Sequence, residues 1–199
     1  MTSTKWIWRA ALAAACMAAG ACGLFETRTP EQPPPPIVGC RSLTSGTLAV
    51  VLNIEDFYGR LSGRTCYVST LDTSFVFTPD PQDLSLFLPD TPFAGWDEIV
   101  EGEVNQSIAN EEKFIDVDFI TEYATAIISP DQNTEQRFWD YQVRVAFQTP
   151  PDTLRFTGRA DLTLHRQSNG EWKITSWVDH RAGAAVDSTW GRLRGSQRI

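Results

Sequence analysis

The residues of this chain best suited to chemistry are its four cysteines and two histidines. In an oxidising compartment Cys40 and Cys66 could be bonded, and closing a loop of about 25 residues would stabilise the fold by about 3 to 4 kcal/mol. The alternative is that Cys66 is a small buried apolar residue and Cys40 a free thiol. Their spacing is not that of a zinc motif, and only His165 and His180 could complete one, so we predict no metal site.

Acid–base chemistry requires two ionisable groups held close together, and the chain offers candidates by residue type alone. The carboxylates and tyrosines that qualify are Tyr58, Asp72, Asp116, Asp118, Tyr123, Asp140 and Tyr141. Asp116 and Asp118 alternate with apolar neighbours, which favours two carboxylates on the solvent side of a strand over a catalytic pair. The sequence has no Gly-rich phosphate loop, no H-E-x-x-H pattern and no Ser/His/Asp order. Catalytic residues therefore stay unknown, and no cofactor is predicted.

The first forty residues indicate where the protein works. Lys5 and Arg9 precede an apolar run over residues 10–19, which is too short to span a bilayer and is followed by Ala19-Gly20-Ala21-Cys22. This pattern resembles the bacterial lipoprotein signal. The resemblance implies that residues 1–21 are removed, that Cys22 is acylated, and that Gly23 directs the protein to the outer membrane, facing the periplasm. Cleavage before Cys16 and ordinary signal-peptidase cleavage are the alternatives.

A proline-rich segment follows the proposed acylation site. Residues 22–39 contain Pro33-Pro34-Pro35-Pro36, which favours a semi-rigid polyproline II spacer. At about 3.1 Å per residue it would hold a domain about 50 Å or less from the lipid surface. We interpret it as a tether for a domain over residues 40–199.

The charge of this domain limits its partners. The whole chain has a formal net charge of -8, and removing residues 1–21 takes away two positive charges, which leaves -10. Such an acidic domain repels phosphate backbones, so we predict no nucleic-acid partner.

Hydrophobic periodicity predicts helices first and strands afterwards. Helical spacing predicts three helices, over residues 44–58, 62–71 and 96–110. Residues 72–80 are predicted to form a short strand, followed by an Asp/Pro-rich loop up to Pro92. Four long strands are predicted over residues 114–128, 137–148, 153–166 and 171–181. This order indicates an α+β fold with the helices packed on one face of an antiparallel sheet.

The order of elements and the start of the last strand, Gly170-Glu171-Trp172-Lys173-Ile174, together resemble the NTF2-like family. That family includes ketosteroid isomerase and the SnoaL-like cyclases. The resemblance covers about Thr44 to Arg181 and implies a cone, in which a curved sheet and helices enclose a pocket. Uncharacterised envelope lipoproteins are also similar to this chain in the lipoprotein signal, the tether, Trp177-x-Asp179-x-Arg181 and the terminal Ser188-Thr189-Trp190-Gly191-Arg192-Leu193-Arg194-Gly195.

Candidate pocket residues follow from strand alternation. If Trp172 and Ile174 face the helices, Ser176 and His180 lie on the same side, and His180 reaches the mouth of the cone. There it could serve as a general base, or be a hydrogen-bonded rim residue without a catalytic role. A bulge after Ile174 would reverse the alternation and turn Asp179 inward. The four candidate pocket residues are Tyr58, Trp96, Ser176 and His180.

Two further tryptophans bear on partners. Trp139 and Trp177 are expected on an exposed sheet surface that could form a homodimer, as the family resemblance suggests. The resulting expectation is an envelope lipoprotein whose NTF2-like domain binds a small hydrophobic ligand or a protein partner. The alternatives are a SnoaL-like or isomerase-like enzyme acting on a small hydrophobic substrate, and a structural envelope component.

Overall fold

The protein is described by a computed structural model that covers residues 39–147, 153–183 and 188–198, apart from the side chains of Glu112 and Lys113. Its α-helices are α1 (Thr47–Phe57), α2 (Arg64–Val68), α3 (Pro81–Leu86), α4 (Glu98–Glu111) and α5 (Trp190–Ser196). Its strands are β1 (Leu71–Thr78), β2 (Glu112–Ile128), β3 (Thr134–Phe147), β4 (Thr153–Arg166) and β5 (Trp172–His180). Short 3-10 turns lie at Leu43–Ser45 and Leu61–Gly63.

The five strands form one sheet in the order β1-β5-β4-β3-β2. β1 pairs with β5 in parallel, and every other pair is antiparallel. The predicted α+β class is confirmed, as are the three predicted helices and the short strand followed by four long ones.

The hydrophobic core lies between the sheet and the helices. On α1, Val50, Ile54 and Phe57 recur at helical spacing and are buried. On the central strands, Val143 and Val145 of β3 and Leu162 and Leu164 of β4 face the same core. The opposite sheet face carries polar residues such as Asp116 and Asp118, as their alternation predicted.

Two short helices were not predicted from the sequence. α3 lies in the segment interpreted as a loop, where Asp80 caps its N-terminus by accepting the Gln82 N–H and Pro81 takes the first helical position. α5 is capped by the Thr189 hydroxyl, which accepts the Arg192 N–H. Its two glycines and two arginines concealed a helix only seven residues long.

A bulge in β5 overturns the predicted alternation. Leu164 pairs with Ile174 but Thr163 pairs with Ser176, so Thr175 is an extra residue in β5. Trp177 and Asp179 therefore point into the core and are fully buried. The prediction that His180 and Ser176 point into the cone is wrong for this reason, and so is the placement of Trp177 on an exposed surface. Trp139 also packs against the core, edge-on to Phe119.

A disulfide joins the segment before α1 to α2. The sulfurs of Cys40 and Cys66 are bonded, and their Cα atoms lie 5.1 Å apart. The bond ties the start of the described domain to the helical layer, next to Asn53 of α1, whose side-chain oxygen accepts the Arg41 N–H.

Candidate functional site

The interior of the cone is filled by the chain's own C-terminal helix. Trp190 and Arg194 of α5 are both fully buried. The Trp190 ring meets Tyr58 and Trp177 edge-on, with ring centroids 4.7 Å away in each case. Gly195 allows the close approach, because a Cβ there would lie 2.6 Å from ring carbons of Phe87 and Phe93.

One buried polar group anchors the start of α5. The bulge in β5 turns Asp179 inward, where one carboxylate oxygen accepts the Tyr141 hydroxyl at 2.6 Å. The other oxygen accepts the Gly191 N–H at 2.6 Å, and the Trp190 N–H donates to the Tyr141 oxygen at 2.8 Å. Burial raises the pKa of Asp179 to about 6, and burial together with the Asp179 charge raises the pKa of Tyr141 well above its usual range.

A second polar group holds the far side of α5. The Arg194 Nε donates to Glu101 at 3.0 Å, and the same carboxylate accepts the Tyr67 hydroxyl at 2.5 Å and the Trp96 Nε1–H at 2.7 Å. All four side chains are almost completely inaccessible to solvent. Burial and the nearby Glu101 raise the pKa of the Tyr67 hydroxyl well above its usual range.

The Arg194 guanidinium is also surrounded by aromatic rings. Its carbon lies 4.1 Å from the ring centroid of Trp177, 4.4 Å from that of Phe77 and 5.7 Å from that of Tyr58. Such contacts stabilise a cation through the negative faces of the rings. Its Nη1 atom is buried without a hydrogen-bond partner among the described residues.

A third buried carboxylate completes the attachment of α5. Asp83 of α3 accepts the Thr189 hydroxyl and, at 2.5 Å, the Arg181 Nη2. The cap of α5 and the end of β5 are thus fixed to α3. A tyrosine beside a carboxylic acid is a pair suited to general acid–base chemistry, but here backbone N–H groups of α5 occupy both Tyr141 and Asp179.

The predicted pocket residues divide between two sites. Tyr58 and Trp96 are buried inside the cone, beside α5 and Glu101. Ser176 and His180 lie on the outer sheet face, where His180 Nε2 is 3.1 Å from Asp161 Oδ2. The Tyr123 hydroxyl donates to the other Asp161 oxygen, which makes His180 part of a hydrogen-bonded surface group.

Outside the cone an open apolar cleft of about 540 Å³ lies between the end of β1, α3 and the segment before α4. Its floor includes Phe77 and Phe93, whose ring centroids are 6.1 Å apart. Its walls include Leu84, Leu88 and Pro92. The volume lies within the range of small-molecule pockets, and the polar residues of the lining are Thr78, Ser85, Asp90 and Thr91.

The most informative residues of the cone interior were not predicted from the sequence. Glu101 lies in a segment that was predicted only as an amphipathic helix, and Arg194 lies in a C-terminal segment with no predicted structure. Asp179 was expected to point inward only if β5 contained a bulge. A signal existed for Arg194, which lies four residues after Trp190 and can share a helix face with it. Cys22, its lipoprotein signal and the tether lie outside the described residues. In the described part, no helix has the length and apolar character of a membrane span, and no group of three or more candidate ligands is placed to bind a metal.

Comparison with known proteins shows the fold class. No protein-family model matches the sequence, and no curated protein is significantly similar to it. Among solved structures, a protein of Novosphingobium aromaticivorans with the provisional name of aromatic ring hydroxylase superposes with a TM-score of 0.57 at 11% identity, over 75% of this chain and 95% of the other. An NTF2-like superfamily protein of Salmonella enterica superposes with a TM-score of 0.50 at 14% identity, over 74% and 97%. A second Novosphingobium aromaticivorans protein, provisionally named scytalone dehydratase, gives 0.50 at 7% identity, over 72% and 89%.

These superpositions define an NTF2-like fold, as the order of elements predicted. They cover nearly the full length of each compared protein. At such low identity they establish the architecture alone.

Proposed function

We propose that this protein is a lipid-anchored envelope lipoprotein whose NTF2-like domain binds a small hydrophobic ligand. The observation that carries the proposal is the open apolar cleft beside β1, since the cone itself is occupied by α5. The cleft has an aromatic floor, aliphatic walls and few polar groups. This is the lining expected for a ligand that is bound mainly through burial of apolar surface.

The proposed location rests on the sequence. Acylation of Cys22, followed by the proline-rich tether, would hold the domain near the periplasmic face of the outer membrane. Two or more acyl chains anchor a protein stably, whereas a single chain is marginal. The acidic domain would then meet uncharged or cationic molecules more readily than anionic ones.

The anchor is tested by Cys22→Ala. We expect this variant to leave the membrane fraction and to lose labelling by a fatty-acid probe, because the acylated sulfur is the proposed site of attachment. Cys16→Ala is the matched control and should behave as the wild type. A Cys22→Ala protein that stays membrane-bound and labelled would contradict the proposed anchor.

Ligand binding is tested by an untargeted mass-spectrometric search for molecules that co-purify with the domain. We expect an apolar molecule of a size that fits about 540 Å³. Recovery of polar or anionic compounds alone would speak against the proposed ligand class.

An enzyme acting on a small hydrophobic substrate is the second candidate. Its supporting observation is the buried Tyr141–Asp179 pair, a combination of groups that could move a proton. Two structural neighbours also carry the provisional names of enzymes. Turnover at this pair would require α5 to move, because its N–H groups occupy both side chains.

A homodimer through the sheet face is a further proposal. Trp139 and Trp177 point into the core and cannot form that surface. The contact would instead use outward residues of β2, such as Ile120 and Ile127, which are more than half exposed. Light scattering on the purified domain would give its mass.

A further inference from the structure

The buried negative charges inside the cone belong to the body of the fold, whereas the buried positive charge belongs to the C-terminal helix. Three completely buried carboxylates, Asp83, Glu101 and Asp179, belong to α3, α4 and β5. Within the described ranges, the one completely buried cation is Arg194, which belongs to the short C-terminal helix. Asp83 is also paired with Arg181, so Arg194 is the cation that faces Glu101 and Asp179, and without its side chain that part of the interior would be acidic with aromatic walls.

The surroundings of Arg194 have the chemistry of an organic-cation site. Trp177 of β5, Phe77 of β1 and Tyr58, which directly follows α1, turn ring faces towards the guanidinium at 4.1 to 5.7 Å. Glu101 supplies the counter-charge, and Trp96 and Tyr67 hold its carboxylate in place by hydrogen bonds. Aromatic rings beside a carboxylate recognise ammonium and guanidinium groups that carry alkyl substituents.

The way Arg194 is held supports an exchangeable occupant. Its Nε makes a close hydrogen bond to Glu101, its Nη2 lies 3.5 Å from the Tyr67 oxygen, and its buried Nη1 has no partner in the described structure. The rings thus provide much of the contact with this cation. The site holds it although not all five of its N–H groups have hydrogen-bond partners in the described structure. An alkylated guanidinium or ammonium, with fewer donors than arginine, would lose little there.

We propose that the cone of this domain is a binding site for an organic cation of the alkylguanidinium or alkylammonium class, and that Arg194 occupies it as an internal ligand. This site is separate from the apolar cleft, although Phe77 contributes to both. An external cation takes the place of Arg194 only when that side chain leaves the cage.

The test is a chemical rescue of Arg194→Ala in the full chain. This substitution leaves Glu101 buried without its cation, which is destabilising. Methylguanidinium at millimolar concentration should raise the melting temperature of Arg194→Ala by about 3 to 6 °C once its concentration is tenfold above Kd. N-methylurea, a neutral molecule of similar shape, should give no comparable rise.

Three further proteins establish where the cation binds. The wild type, whose site is filled, should show no such rise. Arg194→Ala combined with Glu101→Gln should lose it, because the counter-charge is gone. Arg144→Ala, which removes an outer-face arginine paired with Asp116, should behave as the wild type.

Several results would overturn the proposal. Equal rescue by methylguanidinium and N-methylurea would mean that the cavity selects shape and not charge. An equal shift in the wild type, or rescue that survives Glu101→Gln, would place the cation elsewhere. If Arg194→Ala cannot be isolated folded, its refolding yield with each compound gives the same comparison, and equal yields would contradict the proposal.

Discussion

Asp179 shows how one residue's environment is set by a local irregularity. The extra residue Thr175 turns Asp179 towards Tyr141 and the first N–H groups of α5. Hydrogen bonds from these donors stabilise the charged carboxylate and lower its pKa. Burial has the larger effect and raises the pKa of Asp179 to about 6. The folded protein therefore binds a proton at Asp179 more tightly than the unfolded chain does.

This shift predicts a pH dependence of stability. Because the pKa of Asp179 is raised in the folded state, its contribution to the free energy of unfolding is largest below about pH 4. This contribution declines by about 3 kcal/mol as the pH rises through about 6. The amide introduced by Asp179→Asn cannot titrate, although it fits the two donors poorly and lowers stability at every pH. We expect the unfolding free energy of the wild type minus that of Asp179→Asn to fall between pH 4 and pH 7, as measured by urea unfolding. A difference that is constant or rises with pH would contradict the assigned environment.

The bulge also explains what the sequence could not reveal about the site. Alternation through Trp172 and Ile174 assigned the sides of β5 correctly up to Ile174. Beyond it, one unpaired residue reversed every later side chain, so His180 emerged beside Asp161 on the outer face. Nothing in Thr175 itself distinguishes a bulged threonine from an ordinary strand residue.

At the scale of elements, α5 is stabilised by apolar packing as much as by polar contacts. A seven-residue helix has little stability alone, and this one depends on the burial of Trp190 and Leu193 and on the anchors at Asp179 and Glu101. Gly195 matters because the rings of Phe87 and Phe93 lie where a Cβ would project.

Gly195→Ala is therefore expected to lower stability. Helix propensity favours alanine by about 1 kcal/mol, whereas overpacking against the two rings costs about 1 to 3 kcal/mol. A net loss of about 1 kcal/mol should appear as a lower midpoint in urea. Gly183→Ala is the control, since among the described residues, its chain neighbours aside, no atom lies within 4 Å of its Cβ position. A Gly195→Ala protein more stable than the wild type would show that α5 is not packed as described.

The Cys40–Cys66 bond links the helical layer to the start of the domain. We expect thiol titration of the unreduced Cys22→Ala protein, without its signal peptide, to find no free thiol. Reduction should lower the unfolding free energy by about 3 to 4 kcal/mol, because the open loop gains entropy when unfolded. Two titratable thiols in the native protein would contradict the bond.

At the scale of the whole molecule, the architecture was predictable where hydrophobic periodicity was long. The long strands and the helices α1 and α4 span several periods, so their type and order followed from the sequence. α3 and α5 are six and seven residues long and carry Pro or Gly, which left their patterns too short to read. Tyr58 and Trp96 were placed among the pocket candidates from the sequence, and both lie in the cone interior. That this interior is filled depends on a tertiary contact between the C-terminus and the sheet, which no local pattern encodes.

The central claim is that the apolar cleft beside β1 binds a small hydrophobic molecule. Titration of the neutral fluorophore N-phenylnaphthylamine into wild type, Leu84→Asp and Leu86→Asp tests it most directly. Both leucines lie on α3 and are exposed, but only Leu84 lines the cleft. We predict saturable binding by the wild type and by Leu86→Asp, and at least about tenfold weaker binding by Leu84→Asp, since a carboxylate in the apolar wall must be desolvated. Equal affinities for all three proteins, or no saturable binding by the wild type, would contradict the proposed function.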